Sequence, residues 1–212
     1  MRRLVHFGTG NGAHRIAAVA AALLVALMLG ACTHTHAADT QPLDSSGMSY
    51  TAVKQLDGMN VTRAEIPEIL KAYNAGFTDE DCVQIVQLYH GRGQAFKSGD
   101  AVAGLIQSGL DGEMILSLAK LNQLGSTYGE YEAMHLAGLS DSIILAVAQK
   151  RDDNKPVLSG ASLAGLKNTG LRGSTLLELA RRGVPDTEAH AIISFRRRGA
   201  SDSQILRRFS GS

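Results

Sequence analysis

The sequence contains two cysteines, and a thiol can act as a nucleophile, a metal ligand or the acceptor of a covalent lipid. Cys82 lies in the stretch DEDCVQIVQLY, at a position that faces the core if the stretch is helical. Its neighbours Asp79, Glu80 and Asp81 are acidic and disfavour the thiolate, which is the reactive form. We therefore expect Cys82 to be a small buried side chain and not a reactive thiol. Cys32, in contrast, follows directly on a long apolar segment.

The N-terminal segment has the composition of an export signal. Arg2, Arg3 and Arg15 precede the uninterrupted apolar run IAAVAAALLVALMLGA at residues 16–31. A basic segment followed by a short apolar one is typical of a secretory signal. The run falls short of the ~20 residues that span a bilayer. It leads into LGAC, residues 29–32, which resembles the lipobox of bacterial lipoproteins.

The lipobox resemblance implies that residues 1–31 are a lipoprotein signal peptide and that Cys32 becomes the lipid-modified, palmitate-carrying N-terminus. The residue after Cys32 is Thr33 and not an aspartate. By the sorting rule of proteobacterial lipoproteins, this implies the outer membrane as the destination, with the protein facing the periplasm. The inner membrane and the cell surface are the alternatives. If Cys32 carries the lipid, Cys82 is the only free thiol, so no internal disulfide is expected. No cofactor is predicted apart from this covalent lipid. The competing interpretation is an uncleaved signal anchor with a chance cysteine.

Residues 32–58 contain mainly Thr, Ser, Asp, Gln and Gly and show little apolar periodicity. We expect them to form a lipidated flexible tether that joins the membrane to a helical repeat domain at residues 59–212. His34 and His36 could contact a metal, but ligation normally needs three or four preorganised groups, so no metal site is predicted. The later histidines are expected at surface or boundary positions and not as catalytic bases: His90, His135 and His190.

Arginine is the candidate for anion recognition. Residues 33–168 carry 16 acidic and 10 basic side chains, whereas residues 169–212 carry 4 acidic and 8 basic ones, and every basic residue of that tail is Arg. The planar guanidinium suits phosphate and carboxylate partners. We consider a cationic patch for lipopolysaccharide or cell-wall anions, and alternatively a solvated surface or docking on the acidic first half. The candidate anion-binding residues are Arg181, Arg182, Arg196, Arg197, Arg198, Arg207 and Arg208.

The sequence contains no nucleophile elbow, H-E-x-x-H, P-loop or dinucleotide fingerprint, and no pair of catalytic carboxylates. We therefore predict no catalytic residue and a non-enzymatic protein. An enzyme of unrecognised type is a third alternative, and it would need a polar pocket with convergent titratable groups. Arginines on short helices also suit DNA recognition, but an exported, lipid-anchored protein does not meet the chromosome, so no nucleic-acid partner is expected.

An internal repeat fixes the fold class. Residues 95–120 and 156–181 align without a gap and share eleven identities, and the same offset matches 138–145 to 199–206. A half copy, AGFTDEDCVQIV at 75–86, precedes them and matches AGLSDSIILAVA at 137–148, with the register slipped by one residue relative to the 61-residue offset. The chain thus holds about two and a half units of roughly 61 residues.

Within a unit the order is helix, Gly, helix. Each of these glycines precedes an apolar residue and suits the left-handed C′ position that ends a helix. Capping-box spacing occurs at Thr62–Glu65, Thr127–Glu130 and Ser201–Gln204. Gly104 and Gly165 lie at equivalent mid-helix positions and predict a close helix crossing, with a ligand groove as the alternative. The C′ glycines are Gly76, Gly109, Gly138, Gly170, Gly183 and Gly199.

We conclude that the domain is an all-α array of tandem helical hairpins, forming a compact bundle or a shallow solenoid. Ten helices are expected between residues 62 and 209, each too short to be stable alone. The units are similar to short hairpin repeats of uncharacterised bacterial envelope proteins, which implies no activity. The predicted function is a lipid-anchored scaffold or protein-interaction module for an unknown envelope protein. The alternative is an arginine-mediated binder of anionic envelope polymer.

Overall fold

The computed structural model describes residues 39–209, and this part of the chain consists of helices joined by turns and loops, with no β-strand. A short 3-10 helix (Asp186–Glu188) precedes the eleventh of twelve α-helices. The helices are α1 (Gln41–Ser45), α2 (Tyr50–Gly58), α3 (Glu65–Asn74), α4 (Asp79–His90), α5 (Gly99–Gln107), α6 (Gly112–Lys120), α7 (Tyr128–Leu136), α8 (Asp141–Asp152), α9 (Gly160–Asn168), α10 (Gly173–Arg181), α11 (Ala189–Arg197) and α12 (Asp202–Arg208). The ten helices predicted from residue 62 onwards are all present, with ends shifted by a few residues.

The helices form six hairpins that stack in sequence order. Odd-numbered helices pack on one another in one layer and even-numbered helices in a second layer; the most extensive contacts join α3 to α5 and α8 to α10. Within a hairpin, each odd helix also contacts the even helix that follows it. Each hairpin thus packs mainly on its neighbours in the chain, which is the arrangement of an α-solenoid. The predicted all-α array of tandem hairpins is confirmed.

The 61-residue period of the sequence covers two successive hairpins. Helices α5 to α8 form the first complete unit and α9 to α12 the second, while the half copy falls in the hairpin of α3 and α4. The hairpin, about half the sequence period, is therefore the structural repeat.

The segment from residue 40 to residue 58 was predicted to be flexible tether, and this prediction is wrong, because α1 and α2 form the first hairpin there. Leu43 and Leu56 are fully buried, and the helices pack on α3 and α4. The backbone N–H of Ser49 donates to Asp79 Oδ2 at 3.0 Å, which ties the start of α2 to the start of α4. The helical domain thus includes the residues from Gln41 onwards. Residues 1–38, with Cys32, His34, His36 and the signal segment, lie outside the described residues.

The turns confirm the predicted role of glycine. All six predicted C′ glycines have positive φ, between 68° at Gly138 and 113° at Gly76. At Gly76 the N–H donates to Tyr73 O and the next N–H, of Phe77, donates to Ala72 O at 3.1 Å, the paired bonds of a Schellman motif. The sequence interpretation missed a second set of left-handed residues, which follow even-numbered helices: Asn60, Asn122 and Asn154.

The close helix crossing lies at other glycines than those predicted. A Cβ at Gly165 would meet nothing within 4 Å, and one at Gly104 would make an ordinary 3.5 Å contact with Tyr128, so the prediction for these two positions is wrong. A Cβ at Gly99 would instead overlap the backbone of Glu68, and one at Gly160 would lie 2.5 Å from Met134 Cγ. The first turns of α5 and α9 therefore lie in close contact with α3 and α7, the preceding odd helices.

Only one of the three predicted capping boxes is a simple helix cap: Ser201 and Gln204 make both of its bonds. Glu65 does accept hydrogen bonds from Thr62, but its second oxygen bonds to the loop that leads into α5. The Glu130 side chain makes no bond to Thr127. It accepts from Arg151 at 2.6 Å and from the N–H of Gly160 at 2.6 Å. Both carboxylates thus join successive hairpins.

The core between the two layers is almost entirely aliphatic, as expected from a sequence with 5% aromatic residues and no Trp. The only buried polar or charged side chains are Glu65 and Thr175, within the residues that the structure describes. Among the helices of residues 39–209, none combines the length and the apolar character that crossing a bilayer requires.

Candidate functional site

The seven arginines predicted to bind anions lie at the C-terminal ends of three helices. Two of these helices, α10 and α12, belong to the even layer, and the third, α11, belongs to the odd layer. A cation at a helix C-terminus is stabilised by the helix dipole, so these positions also suit the arginines electrostatically. They are Arg181 and Arg182 on α10, Arg207 and Arg208 on α12, and Arg196, Arg197 and Arg198 on α11.

Two of the seven arginines are bound by the domain itself. Arg182 Nε donates to Glu178 at 2.7 Å and its Nη1 donates to Leu206 O at 2.6 Å, which joins the ends of α10 and α12. Arg196 donates to Gly170 O and to Ala200 O, both at 2.9 Å. These guanidinium groups satisfy carbonyls that the helix ends leave free.

Arg196 also lies 3.2 Å from Asp202 Oδ1. Burial opposes ionisation of Asp202, but hydrogen bonds from Thr175 and from the N–H of Arg172, with the charge of Arg196, lower the pKa of that carboxyl below its ordinary value. Asp202 is therefore a fixed anion that holds the starts of α10 and α12 together.

The remaining arginines are exposed. The guanidinium groups of Arg198 and Arg208 lie 5.8 Å and 5.4 Å from the ring centroid of Phe195, so both cover an aromatic side chain of the last hairpin. Such cation–π contacts stabilise an exposed ring only modestly and leave the cation accessible. Arg197 and Arg207 are exposed on the same hairpin. Arg181 lies apart from them, at an open groove on the even layer.

This groove has a volume of about 630 Å³ and lies on the outer face of the even layer, along α6 and α8. Its apolar lining consists of Leu121, Leu145 and Ala146, all partly exposed. Its neutral polar lining is Ser117, Ser142 and Gln149.

Basic side chains line the groove near the helix ends. Lys120 and Arg181 are the last residues of α6 and α10, and Lys150 lies in the last turn of α8. None of the three pairs with a carboxylate of the described residues, and no acidic side chain lines the groove there. The surface therefore combines an apolar strip with three cations that form no ion pair, while the carboxylate of Asp153 lies beside it and accepts from the side-chain amide of Gln149 at 3.2 Å.

Departures from the internal repeat create this groove. Ala146 of α8 corresponds to Gln84 in α4 and to Arg207 in α12, whose long side chains occupy the equivalent outer position. Ser117 and Leu121 correspond to Glu178 and Arg182, which form an ion pair on α10. The cations are kept, since Lys120 corresponds to Arg181. Sequence reasoning missed the groove, although comparing the copies position by position would have revealed these substitutions.

The other candidate residues have structural roles. Cys82 is fully buried, and burial together with Asp81 and Asp79 raises the pKa of its thiol to about 12, so the prediction of an unreactive buried thiol is confirmed. His90, His135 and His190 are partly or fully exposed on separate helices, as expected. His90 Nε2 lies 2.8 Å from the buried Glu65.

Within residues 39–209 no three His, Cys, Asp or Glu side chains come together in a metal-binding arrangement. Comparison of the chain with protein-family models, with curated proteins and with solved structures found no match.

Proposed function

We propose that this protein is a lipid-anchored envelope scaffold that recognises another protein through its stacked hairpins. The observation that carries the proposal is the two-layer solenoid, in which each hairpin packs mainly on its neighbours and no helix of residues 39–209 covers the outer face of either layer. On the even layer, exposed side chains recur at matching positions along this face, such as Gln87 and Gln149, or Lys120 and Arg181. Extended faces of this kind are the binding surfaces of helical repeat proteins.

The anchor in this proposal is Cys32, with its lipid in the outer membrane and the helical domain facing the periplasm. The inner membrane and the cell surface are the alternative locations. Attachment to a bilayer confines the domain near partners in the same membrane or in the adjoining compartment. The resulting rise in effective concentration converts weak contacts into stable association without requiring any catalytic group.

The proposal is tested in cells by crosslinking and by lipid labelling. We expect a labelled fatty acid to be incorporated at Cys32, and chemical crosslinking to join the domain to a defined envelope protein. The Cys32→Ser variant should lose the label and should lose most of the crosslinked product, because its effective concentration at the membrane falls. A fully lipidated protein that crosslinks to no envelope protein would refute the scaffold.

A second candidate function is binding of an anionic envelope polymer, such as lipopolysaccharide or cell-wall anions. It is favoured by the exposed cations of the last hairpin, Arg197, Arg198, Arg207 and Arg208. It is weakened by Arg196, which the domain itself binds. Replacing Arg197 and Arg207 by Gln should then lower polymer binding and its salt dependence. Unchanged binding across salt concentrations would exclude this candidate.

A further inference from the structure

We propose that the groove between α6 and α8 binds a short amphipathic helix of a partner protein, with apolar residues on one face and carboxylates at its N-terminal turn. This inference rests on the proposed scaffold function and specifies the site and the chemistry of the partner. It uses the groove residues and not the arginines of the last hairpin.

The shape of the groove comes from missing bulk. In α4 the outer face carries Gln84, and in α12 it carries Arg207, whereas α8 carries the small Ala146 at this position. In α6, Ser117 stands where α10 has Glu178. Two adjacent helices of the same layer therefore carry short side chains side by side at Ser117 and Ala146, and the space between the helices is continuous. A solvated helix surface does not require two short side chains at neighbouring positions.

The surface of the groove is suited to apolar contact. Its accessible apolar side chains are Leu121, Leu145 and Ala146. The opposite side of α8 faces the core of the domain, where Ile143, Ile144 and Val147 are buried. Helix α8 thus presents apolar side chains both inward and outward. Covering the outer apolar side chains removes their area from water, which favours association in proportion to that area.

The charge of the groove sets the orientation of the occupant. The three cations lie at the C-terminal ends of three even helices: Lys120 on α6, Lys150 on α8 and Arg181 on α10. The C-terminal ends of neighbouring even helices lie close together, since Arg182 at the end of α10 donates to the Leu206 carbonyl of α12. Cations at helix ends are common. Here three of them adjoin an apolar strip, none forms an ion pair, and the one carboxylate known beside the strip, that of Asp153, bonds to Gln149 and to none of the three. An occupant with acidic residues at one end complements both features.

A helix fits the dimensions better than a lipid chain does. The lining of α8 runs from Ser142 to Lys150, which corresponds to about 12 Å or roughly two helical turns. The groove is open along its length, and hydroxyl and amide groups of Ser117 and Gln149 stand beside the apolar strip. An acyl chain gains most in an enclosed apolar cavity, whereas a peptide helix uses an open groove with a polar rim. If its carboxylates lie at its N-terminal turn, the helix runs antiparallel to α8, and its own dipole favours them there.

The test uses the full lipidated chain in neutral detergent micelles and a synthetic fluorescent helix of about 14 residues, long enough to cover the groove. The peptide has leucines on one face and two glutamates in its first turn, and a matched peptide has glutamines in their place. Fluorescence anisotropy measures both affinities, with empty micelles subtracted. We expect the glutamate peptide to bind roughly tenfold more tightly, and this preference to shrink at high salt.

Variants locate the site. Ala146→Gln restores the residue of α4 and should weaken binding of both peptides by roughly tenfold, since it fills the groove. Ala161→Gln makes the same change at an exposed position of α9 and should have no effect. Lys150→Leu, again the residue that α4 carries, should remove most of the preference for glutamate, whereas Arg197→Leu on α11 should leave it unchanged. Circular dichroism verifies that each variant keeps its helical content.

Three results would overturn the inference: equal affinity for the two peptides, no loss on Ala146→Gln, or no binding of either peptide. Vesicles of phosphatidylglycerol provide a further arm. If Ala146→Gln and Lys150→Leu lower vesicle binding but not peptide binding, the groove is a lipid site and the inference is wrong. Cys32-dependent crosslinking in cells that survives Ala146→Gln would keep the scaffold function and remove the groove from it.

Discussion

Glu65 is the strongest single test of how the hairpins are held together. Its side chain is fully buried at the start of α3. Oε2 accepts from the N–H and the hydroxyl of Thr62 at 2.8 and 2.9 Å, while Oε1 accepts from the N–H of Phe96 at 2.8 Å and lies 2.8 Å from His90 Nε2. One carboxylate thus joins α3, the end of α4 and the loop that leads into α5. We therefore predict that Glu65→Gln is strongly destabilising.

The magnitude follows from the groups that lose their acceptor. A glutamine keeps the volume but presents an NH₂ group where one oxygen stood, so either the Thr62 pair or the Phe96 and His90 pair faces a donor. Leaving buried donors unsatisfied costs about 1–3 kcal/mol for each group, and breaking a buried charged network costs about 3–5 kcal/mol. We expect Glu65→Gln to lower the free energy of unfolding by about 2–3 kcal/mol and Glu65→Ala by about 3–5 kcal/mol.

The pH dependence gives an independent check. Burial tends to raise the pKa of Glu65, but the hydrogen bonds from Thr62, Phe96 and His90 together lower it below its ordinary value of 4.5. A lowered folded-state pKa means that the ionised carboxylate stabilises the fold fully above pH 4.5 and that this stabilisation is lost as the pH falls through the folded-state value. The difference between the wild type and Glu65→Gln should therefore be largest near neutral pH and should shrink in acid.

Urea unfolding, followed by far-ultraviolet circular dichroism at neutral and acid pH, measures both effects. Amide hydrogen exchange adds a local readout, because the Phe96 N–H should lose protection in the variant. Glu132→Gln is the control: Glu132 lies on α7 and makes no side-chain hydrogen bond or ion pair to the described residues, so its effect should stay within about 0.5 kcal/mol. A neutral-pH stability of Glu65→Gln equal to that of the wild type would refute the reasoning, as would an effect that persists undiminished in acid.

Three further predictions concern other contacts. Gly99→Ala should destabilise the domain by about 1–3 kcal/mol, because the added Cβ meets the backbone of Glu68. Gly165→Ala lies in open space within α9 and should stabilise the domain by up to about 1 kcal/mol. Thermal unfolding measures both, and a Gly99→Ala variant more stable than Gly165→Ala would contradict the close crossing assigned to Gly99. Cys82 should resist a thiol reagent at mildly alkaline pH in the folded protein and react only on unfolding, and rapid labelling without unfolding would be inconsistent with its burial. Arg196→Met should lower the free energy of unfolding, measured with urea, by about 1–3 kcal/mol, because it removes the bonds to Gly170 and Ala200. Arg197→Met should lower it by less than about 0.5 kcal/mol. Equal effects of the two substitutions would mean that the Arg196 bonds contribute nothing to stability.

Much of the fold was predictable because its determinants are local. The six glycines predicted to end helices, each placed after an amphipathic stretch and before an apolar residue, all have positive φ. The burial of Cys82 followed from the same helical spacing, and its neighbours on the chain set the direction of its pKa. Because the sequence is repeated, its helices were expected to pack as similar hairpins in each copy.

The candidate site was not predictable in the same way, because it depends on which surfaces meet. The first helix spans only five residues, too few for a periodic pattern, and only packing on α3 and α4 keeps Leu43 and Leu56 from water. Gly99 and Gly165 lie at different positions of the two matching stretches SGDAVAG and SGASLAG, and the letters do not distinguish their surroundings. Only Gly99 faces the backbone of another helix.

The arginines and the groove show the same division. The sequence by itself determined that the C-terminal region is basic and that α8 lacks long outer side chains at Ala146. Only the tertiary structure decided that Arg182 and Arg196 bond to carbonyls of neighbouring helices, and that Arg181 joins Lys120 and Lys150 at an apolar groove. The physical reason is that helix formation depends on interactions within a few residues of the chain, whereas a binding surface depends on contacts between hairpins distant in sequence.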